Sequence, residues 1–127
     1  MPYLVMIDRG YRGTAEAQFF DTLYGMLTFG EQLGGLDVVL RGSAVTAAVV
    51  PEGERPTLRV GSLVLENLPD PAESVRALLD AGHGVAVDAP DLAEFGLGAA
   101  DLLPGVRCLD TTRLANRWSQ YDGVWFL

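Results

Sequence analysis

The stretch of sequence that decides the fold is residues 84–97, which read GVAVDAPDLAEFGL. Its apolar run, Val85 to Val87, is typical of a strand buried on both faces of a parallel sheet. A proline follows at residue 90, and proline suits the first position of a helix because its missing N–H would have no partner there. We therefore predict a strand that passes directly into a helix.

The same alternation extends over most of the chain. Further strands are predicted by the apolar runs at 3–8, 36–40, 106–109 and 124–126. Helices are predicted between them, beginning near residues 15, 44, 71, 89 and 111. The stretch 51–70 fits either a small hairpin or a helical piece. Strands and helices that alternate across short connections favour an α/β domain, with a mostly parallel sheet of about five strands and helices on both faces.

Length and composition exclude several classes of protein. With 127 residues the chain has room for a single domain, 1–127, and 49% hydrophobic with 20% charged residues is typical of a globular protein. No apolar run approaches the roughly 20 residues that a membrane helix needs. The first residues lack a basic segment and a cleavage site of the secretory kind. We therefore predict a cytoplasmic protein without membrane contact.

The charge and the rare residue types exclude further chemistry. The net charge is −8, and all nine basic residues are arginine and scattered, so we predict no nucleic-acid partner. Without lysine there is no P-loop and no Schiff base. One histidine and one cysteine make a metal site improbable, and we predict neither a metal nor a cofactor.

Ligands of open α/β sheets bind beyond the carboxyl ends of the strands. The segments that follow predicted strands here are 8–13, 41–43, 88–91 and 110–112. The first of them is similar to an anion cradle, because glycines allow close backbone approach and arginines add donors. Its candidate ligand-binding residues are Arg9, Gly10, Tyr11, Arg12 and Gly13. The same pattern is also common before helices that bind nothing.

Two candidates for acid–base or nucleophilic chemistry follow later strands. Asp88, with Asp91 and Glu94, could form a carboxylate pair, but carboxylates at a helix start are favoured as caps, and the helix lowers their pKa. Cys108 is a weak nucleophile candidate, because the side chain of Arg107 points to the opposite face of the strand. We predict that Asp88 is structural and that Cys108 is a buried, inert thiol.

The last helix and strand carry a group of aromatic residues, namely Trp118, Tyr121, Trp125 and Phe126. The strand period places Trp125 and Phe126 on opposite faces, so one should point inward and the other needs cover. Aromatic residues are enriched at the centres of interfaces. We therefore predict a symmetric dimer or higher oligomer with Trp118 or Trp125 at the contact.

Three segments resemble the DsrE/DsrF sulfur-relay superfamily, and its DsrF/TusC-type subunits are the most similar branch. They are 11–23 (the first loop and helix), 40–45 (the second strand and its turn) and 84–97 (the strand and helix around the family's cysteine). The ending YDGVWFL is similar as well. The resemblance implies a flavodoxin-like fold and homo- or hetero-oligomers with related subunits. It also implies that active subunits carry a persulfide on that cysteine and pass sulfur to a small carrier protein.

The sequence departs from this family at the decisive position. Asp88 stands where the cysteine is expected, or Ala89 if the alignment shifts by one residue, and neither can hold a persulfide. The leading hypothesis is therefore an accessory, non-catalytic subunit of a sulfur-relay assembly that acts through protein contacts. The alternative is a small-molecule or anion-binding module that uses the first loop with Asp88. A third hypothesis makes Cys108 an unusually placed sulfur acceptor.

Overall fold

The computed structural model describes residues 3–9, 22–51, 57–65 and 70–127, and these residues contain seven strands with helices between them. The strands are β1 (Tyr3–Ile7), β2 (Leu36–Leu40), β3 (Leu58–Val60), β4 (Leu63–Leu65), β5 (Gly84–Asp88), β6 (Arg107–Leu109) and β7 (Val124–Phe126). Five of them form one parallel sheet in the order β6-β5-β2-β1-β7. The pair β3–β4 forms a separate antiparallel hairpin.

Helices connect the parallel strands. The α-helices in the described ranges are α1 (Thr22–Leu33), α2 (Pro71–Asp80), α3 (Ala89–Glu94) and α4 (Thr111–Leu114). Three 3-10 helices accompany them, at Gly42–Ala48, Ala99–Asp101 and Ala115–Gln120. None of the helices within these ranges is both long and apolar enough to cross a membrane.

The two faces of the sheet carry separate cores. On one face, α1, α2, α3 and the 3-10 helix Gly42–Ala48 bury the larger cluster, which includes Val5, Val38 and Val87. On the other face, α4 and the 3-10 helix that follows it cover a smaller cluster around Met6 and Val39. Alternate residues of one strand supply the two clusters because successive strand side chains point to opposite faces.

The predicted fold class is confirmed: a parallel sheet of five strands has helices on both faces. For the stretch 51–70 the sequence left a hairpin or a helical piece open, and the structure confirms the hairpin over residues 58–65. Two predicted helices are tighter than expected, since the helix after β2 is a 3-10 helix and the helix over 111–118 becomes 3-10 after Leu114. The predicted start of the first helix, near residue 15, lies outside the described residues.

Candidate functional site at the carboxyl ends of the strands

The carboxyl ends of β1 and β2 are joined by an ion pair. Arg41 donates from Nε to Asp8 Oδ1 at 2.6 Å and from Nη2 to Asp8 Oδ2 at 2.9 Å. The contact exists because β1 and β2 are neighbours with Ile7 opposite Leu40, so the residues that follow them meet. Two parallel bonds between a guanidinium and a carboxylate fix both side chains in direction as well as distance.

Gly42 continues this site through its backbone. Its N–H donates to Asp91 Oδ2 at 2.8 Å, which ties the end of β2 to the start of α3. Its φ of +54° is in the left-handed region, and a Cβ at this position would lie 2.5 Å from the carbonyl oxygen of Asp8. Both features require glycine.

Asp88 is the buried centre of the site, with only 6% of its surface exposed. Its Oδ1 accepts hydrogen bonds from Thr111 Oγ1 at 2.7 Å and from the Thr111 N–H at 3.1 Å, while its Oδ2 accepts from the Asp91 N–H at 3.1 Å. These bonds hold the starts of α3 and α4 against the end of β5. Asp88 therefore acts as a structural link between three elements.

The same bonds set the protonation of Asp88. Burial by itself would raise the pKa of this carboxyl, but the hydrogen bonds from Thr111 and Asp91 stabilise the charged form and bring the pKa below its usual range. A carboxylate of this kind is an acceptor at neutral pH, not an acid. The prediction that Asp88 is a structural cap agrees with its contacts.

Arg41 brings the positive charge of the site. The hydrogen bonds that Arg41 donates to Asp8 raise its pKa against a smaller opposing effect of burial, and the charges of Asp8, Asp88 and Asp91 raise it further. Its guanidinium carbon also lies 5.7 Å from the centre of the Phe126 ring, within the range of a cation–π contact. Arg41 thus connects the polar site to the neighbouring strand β7.

The candidate anion cradle is described only at its first residue. Arg9 follows β1 and is exposed. Gly10, Tyr11, Arg12 and Gly13 lie outside the described residues, so the ligand-binding role of this loop stays a prediction.

Cys108 differs from its prediction. It lies in β6 at one edge of the sheet and is exposed, so the prediction of a buried thiol is wrong. The edge position explains the error, because within the described residues no further strand pairs with the outer side of β6. Cys108 is paired with Val87 and shares its face of the sheet, whereas Asp88 points to the other face. The thiol therefore does not replace a side chain at the position of Asp88.

The other edge of the sheet is aromatic. We call it the β7 edge and define it by residues that are exposed or lie beside β7: Phe29, Trp118, Trp125, Phe126 and Leu127. Trp125 packs against Tyr3 and Phe29, with ring centres 5.6 and 6.2 Å apart. On the opposite face, Trp118 meets Phe126 edge-on at 5.5 Å.

The structure corrects one expectation for this edge. One of Trp125 and Phe126 was expected to point inward, but they are 39% and 53% exposed. They do lie on opposite faces, as the strand period requires. Both side chains stay partly exposed because β7 is the outermost strand on this side of the described sheet. The helix α1 and the 3-10 helix Ala115–Gln120 cover the two faces of β7 only in part. The interface role of Trp118 and Trp125 stays a prediction.

A second polar contact, at the amino ends of the strands, has no counterpart in the sequence-based prediction. Tyr121 donates its hydroxyl to Asp37 Oδ2 at 3.0 Å. Burial raises the pKa of this tyrosine, and the bond to Asp37 and its charge raise it further. The partners lie 84 positions apart, so only the strand order could have placed them together. Among the described residues, no group of three or more His, Cys, Asp and Glu could hold a metal ion.

Two solved structures are similar to the chain over nearly its whole length. The ychN protein from E. coli is 20% identical with a TM-score of 0.72, and the match covers 100% of both chains. A protein of unknown function, MTH1491 from Methanobacterium thermoautotrophicum, is 15% identical with a TM-score of 0.62, over 96% of this chain and 97% of that chain. These likenesses show that the chain shares its flavodoxin-like α/β fold with both proteins. No protein-family model matches the chain, and no curated protein is significantly similar to it.

Proposed function

We propose that this chain is a non-catalytic subunit of a sulfur-relay assembly and acts through contacts with related subunits and with a sulfur-carrier protein. The single observation that carries the proposal is Asp88. It stands where the family resemblance places the persulfide cysteine, and its oxygens are engaged by Thr111 and Asp91. A carboxylate cannot carry sulfane sulfur.

The surroundings of Asp88 support a structural site. Arg41 is held by Asp8, and Gly42 is held by Asp91, so the polar groups at the carboxyl ends bind one another. A catalytic site needs groups directed at a substrate. The three carboxylates of Asp8, Asp88 and Asp91 also outnumber the guanidinium groups of Arg9 and Arg41 among the described residues there, which disfavours an anionic ligand.

The β7 edge supports the second half of the proposal. Trp125, Phe126 and Leu127 are all more than one-third exposed on consecutive positions. Aromatic side chains at an unpaired sheet edge are the kind of surface that protein partners cover. The proposed partners are subunits of the same superfamily, in a homo- or hetero-oligomer.

Loading with sulfur tests the catalytic half of the proposal. Purified chain is incubated with a persulfide donor, the product is presented to a sulfur-carrier protein, and sulfur on both is measured by intact mass spectrometry. Because Cys108 is exposed, it can take up sulfur without specificity, so delivery to the carrier is the deciding quantity. We expect the same background delivery from the wild type and from Cys108→Ser.

Delivery that depends on Cys108 would contradict the proposal and favour the hypothesis of an unusual sulfur acceptor. A related subunit with its cysteine intact serves as the positive control. Asp88→Cys is the informative gain-of-function variant, since it restores the residue type that the resemblance expects at the end of β5.

A further inference from the structure

Only the side of β7 that faces β1 is hydrogen-bonded within the described residues. The Leu4 N–H donates to the carbonyl oxygen of Gly123 at 2.9 Å. Further along the pair, the Leu127 N–H donates to the carbonyl oxygen of Met6 at 2.8 Å. A strand directs the backbone groups of successive residues to alternate sides, so Gly123, Trp125 and Leu127 face β1. The residues between them face away from the sheet.

These outward-facing residues are Val124 and Phe126. Within the described ranges their N–H and C=O groups have no hydrogen-bond partner, and no strand lies beyond β7. A row of unpaired backbone groups at a sheet edge is a template for a further strand, and the backbone bonds supply affinity. The backbone of β7 therefore calls for an extended strand as its partner.

The other edge of the sheet is protected against such pairing, and β7 is not. β6 exposes the charged Arg107, and a charge on an edge strand opposes the addition of another strand. Residues 123–127 contain neither a charged residue nor a proline. Trp125, Phe126 and Leu127 are each more than one-third exposed, so a strand that pairs here also covers apolar surface.

We propose that β7 pairs with β7 of a second copy, antiparallel about a two-fold axis at Trp125, so that two five-stranded sheets join into one. The inference rests on the proposed function, because it takes the β7 edge as the recognition surface and names the subunit that occupies it. A two-fold contact uses the same residues in both copies and leaves no open end.

The alternation within β7 suits this self-pairing. With Trp125 opposite Trp125 of the second copy, Val124 lies opposite Phe126, and both of these residues face outward in both chains. Antiparallel strands bond such residues in pairs, with two hydrogen bonds to each pair, and the axis generates two pairs. A shift by one residue sets outward-facing groups against inward-facing ones, and a shift by two leaves a single bonded pair. The backbone thus selects this register.

The same register brings the exposed aromatic side chains together. Trp125 and its copy form a pair without direct backbone bonds, the kind of pair in which side chains of antiparallel strands approach most closely. Aromatic pairs stabilise such positions. Each Trp125 already packs against Tyr3 and Phe29 of its own chain, with ring centres 5.6 and 6.2 Å apart. The pairing therefore joins two aromatic groups into one.

Charges at the ends of β7 favour a copy of this chain in the antiparallel direction. Asp122 is exposed just before β7, and Arg41 lies 5.7 Å from the ring of Phe126 at its end. Antiparallel pairing brings the start of one β7 to the end of the other, and therefore Asp122 towards Arg41. Arg41 donates only two of its five N–H groups to Asp8. Parallel pairing would set Asp122 beside Asp122.

Proline at an outward-facing position tests the backbone pairing. Val124→Pro removes an N–H that faces the second copy and leaves the bonds to β1 in place, since an edge strand tolerates proline on its open side. Val124→Ala is the matched control, because it shortens the same side chain and keeps the N–H. In sedimentation equilibrium we expect wild type and Val124→Ala to form dimers of the 13.6 kDa chain. Val124→Pro should weaken the dimer about tenfold or more, because each dimer loses two backbone bonds.

A wild type that stays monomeric at every concentration overturns the pairing. Equal association of Val124→Pro and Val124→Ala overturns it as well, with circular dichroism confirming that both are folded. If Val124→Pro does not fold, Phe126→Pro takes its place with Phe126→Ala as its control, since the N–H of Phe126 also faces outward.

Disulfide trapping tests the direction and the register. In a Cys108→Ser background, chains with Val124→Cys are mixed with tagged chains that carry Phe126→Cys, and both keep Trp125. Antiparallel pairing sets these two positions opposite each other, within the Cα distance that a disulfide needs, so we expect mixed links to exceed links between identical chains. Ala100→Cys, an exposed position between β5 and β6 in the sequence, replaces Phe126→Cys as the control. Links mainly between identical chains, or mixed links no more frequent than with the control, overturn the proposal.

This inference and the proposed function fail separately. A wild type that stays monomeric and still retains a related subunit contradicts the pairing and leaves the proposed function in place. Delivery of sulfur that depends on Cys108, by a chain whose dimer is lost in Val124→Pro, contradicts the proposed function and supports the pairing.

Discussion

The carboxyl-end site and the β7 edge are neighbours that use their side chains in opposite ways. At the carboxyl ends, Asp8, Arg41 and Asp88 are all held by partners within the chain. At the β7 edge, Trp125 and Phe126 pack against other rings but keep 39% and 53% of their surface exposed. Polar groups that satisfy one another stabilise the fold, and exposed apolar groups remain available to a partner. The proposed function accordingly gives the first region a structural role and the second a role in partner recognition.

Removal of the Asp88 carboxylate should have the largest effect on stability. Asp88→Ala leaves three donors of Thr111 and Asp91 without their acceptor, and we expect the free energy of unfolding to fall by about 3 kcal/mol in urea denaturation. The control is Asp110→Ala, which removes an exposed cap that accepts from Thr112 and should cost only about 1 kcal/mol. Equal costs would mean that Asp88 does not hold the site together.

The same carboxylate predicts a dependence on pH. The pKa of Asp88 is lower in the folded protein than in the unfolded chain, so the unfolded state binds the proton more readily. Its contribution is complete above the ordinary aspartate pKa of about 3.9 and is lost as the pH falls through the folded value. The stability difference between wild type and Asp88→Ala should therefore narrow below about pH 4. A difference that stays constant down to pH 2 would contradict the assignment.

Gly42 tests the backbone of the same region. Gly42→Ala places a Cβ against the Asp8 carbonyl oxygen and also strains a positive φ, so we expect a loss of about 2 kcal/mol. Gly34→Ala is the matched control, because Gly34 has a φ of +78° but open space around its Cβ position, and it should cost about 1 kcal/mol. If Gly42→Ala and Gly34→Ala unfold at the same denaturant concentration, the Cβ at position 42 does not clash with the carbonyl oxygen of Asp8.

Tyr121 extends the comparison to the amino ends of the strands. Tyr121→Phe removes one half-buried hydrogen bond to Asp37 and should cost about 1 kcal/mol at neutral pH. Because the pKa of Tyr121 is raised in the folded protein, its contribution is complete below the ordinary value of about 10 and is lost as the pH rises through the folded pKa. The measurement is the free energy of unfolding of the wild type and of Tyr121→Phe as a function of pH. If the difference between them increases above pH 10, the pKa of Tyr121 is not raised in the folded protein.

Most helices and strands could be predicted from local sequence patterns, because the formation of a helix or strand depends largely on residues that are close in sequence. The run Leu36–Leu40 is a strand with the predicted bounds, and Asp88 caps α3 as its place before Pro90 suggested. The four segments expected at the carboxyl ends include Asp8, Arg41, Asp88 and Thr111, which the sheet does bring together.

Properties that depend on strand order could not be predicted in this way. The ion pair of Arg41 with Asp8 spans 33 positions and requires β1 beside β2. The exposure of Cys108 and of Trp125 follows from β6 and β7 being the outer strands, a fact that periodicity within a strand does not contain. Both errors concern the edges of the sheet, where a buried-strand pattern lacks its second neighbour.

Co-purification of a related sulfur-relay subunit with the tagged chain tests the central claim most directly. The retained amount is compared for the wild type, Trp125→Ala and Asp88→Asn, with circular dichroism confirming that each variant is folded. We predict that wild type and Asp88→Asn retain the subunit equally and that Trp125→Ala loses most of it. Retention that survives Trp125→Ala and fails with Asp88→Asn, or no related subunit with the wild type, would contradict the account.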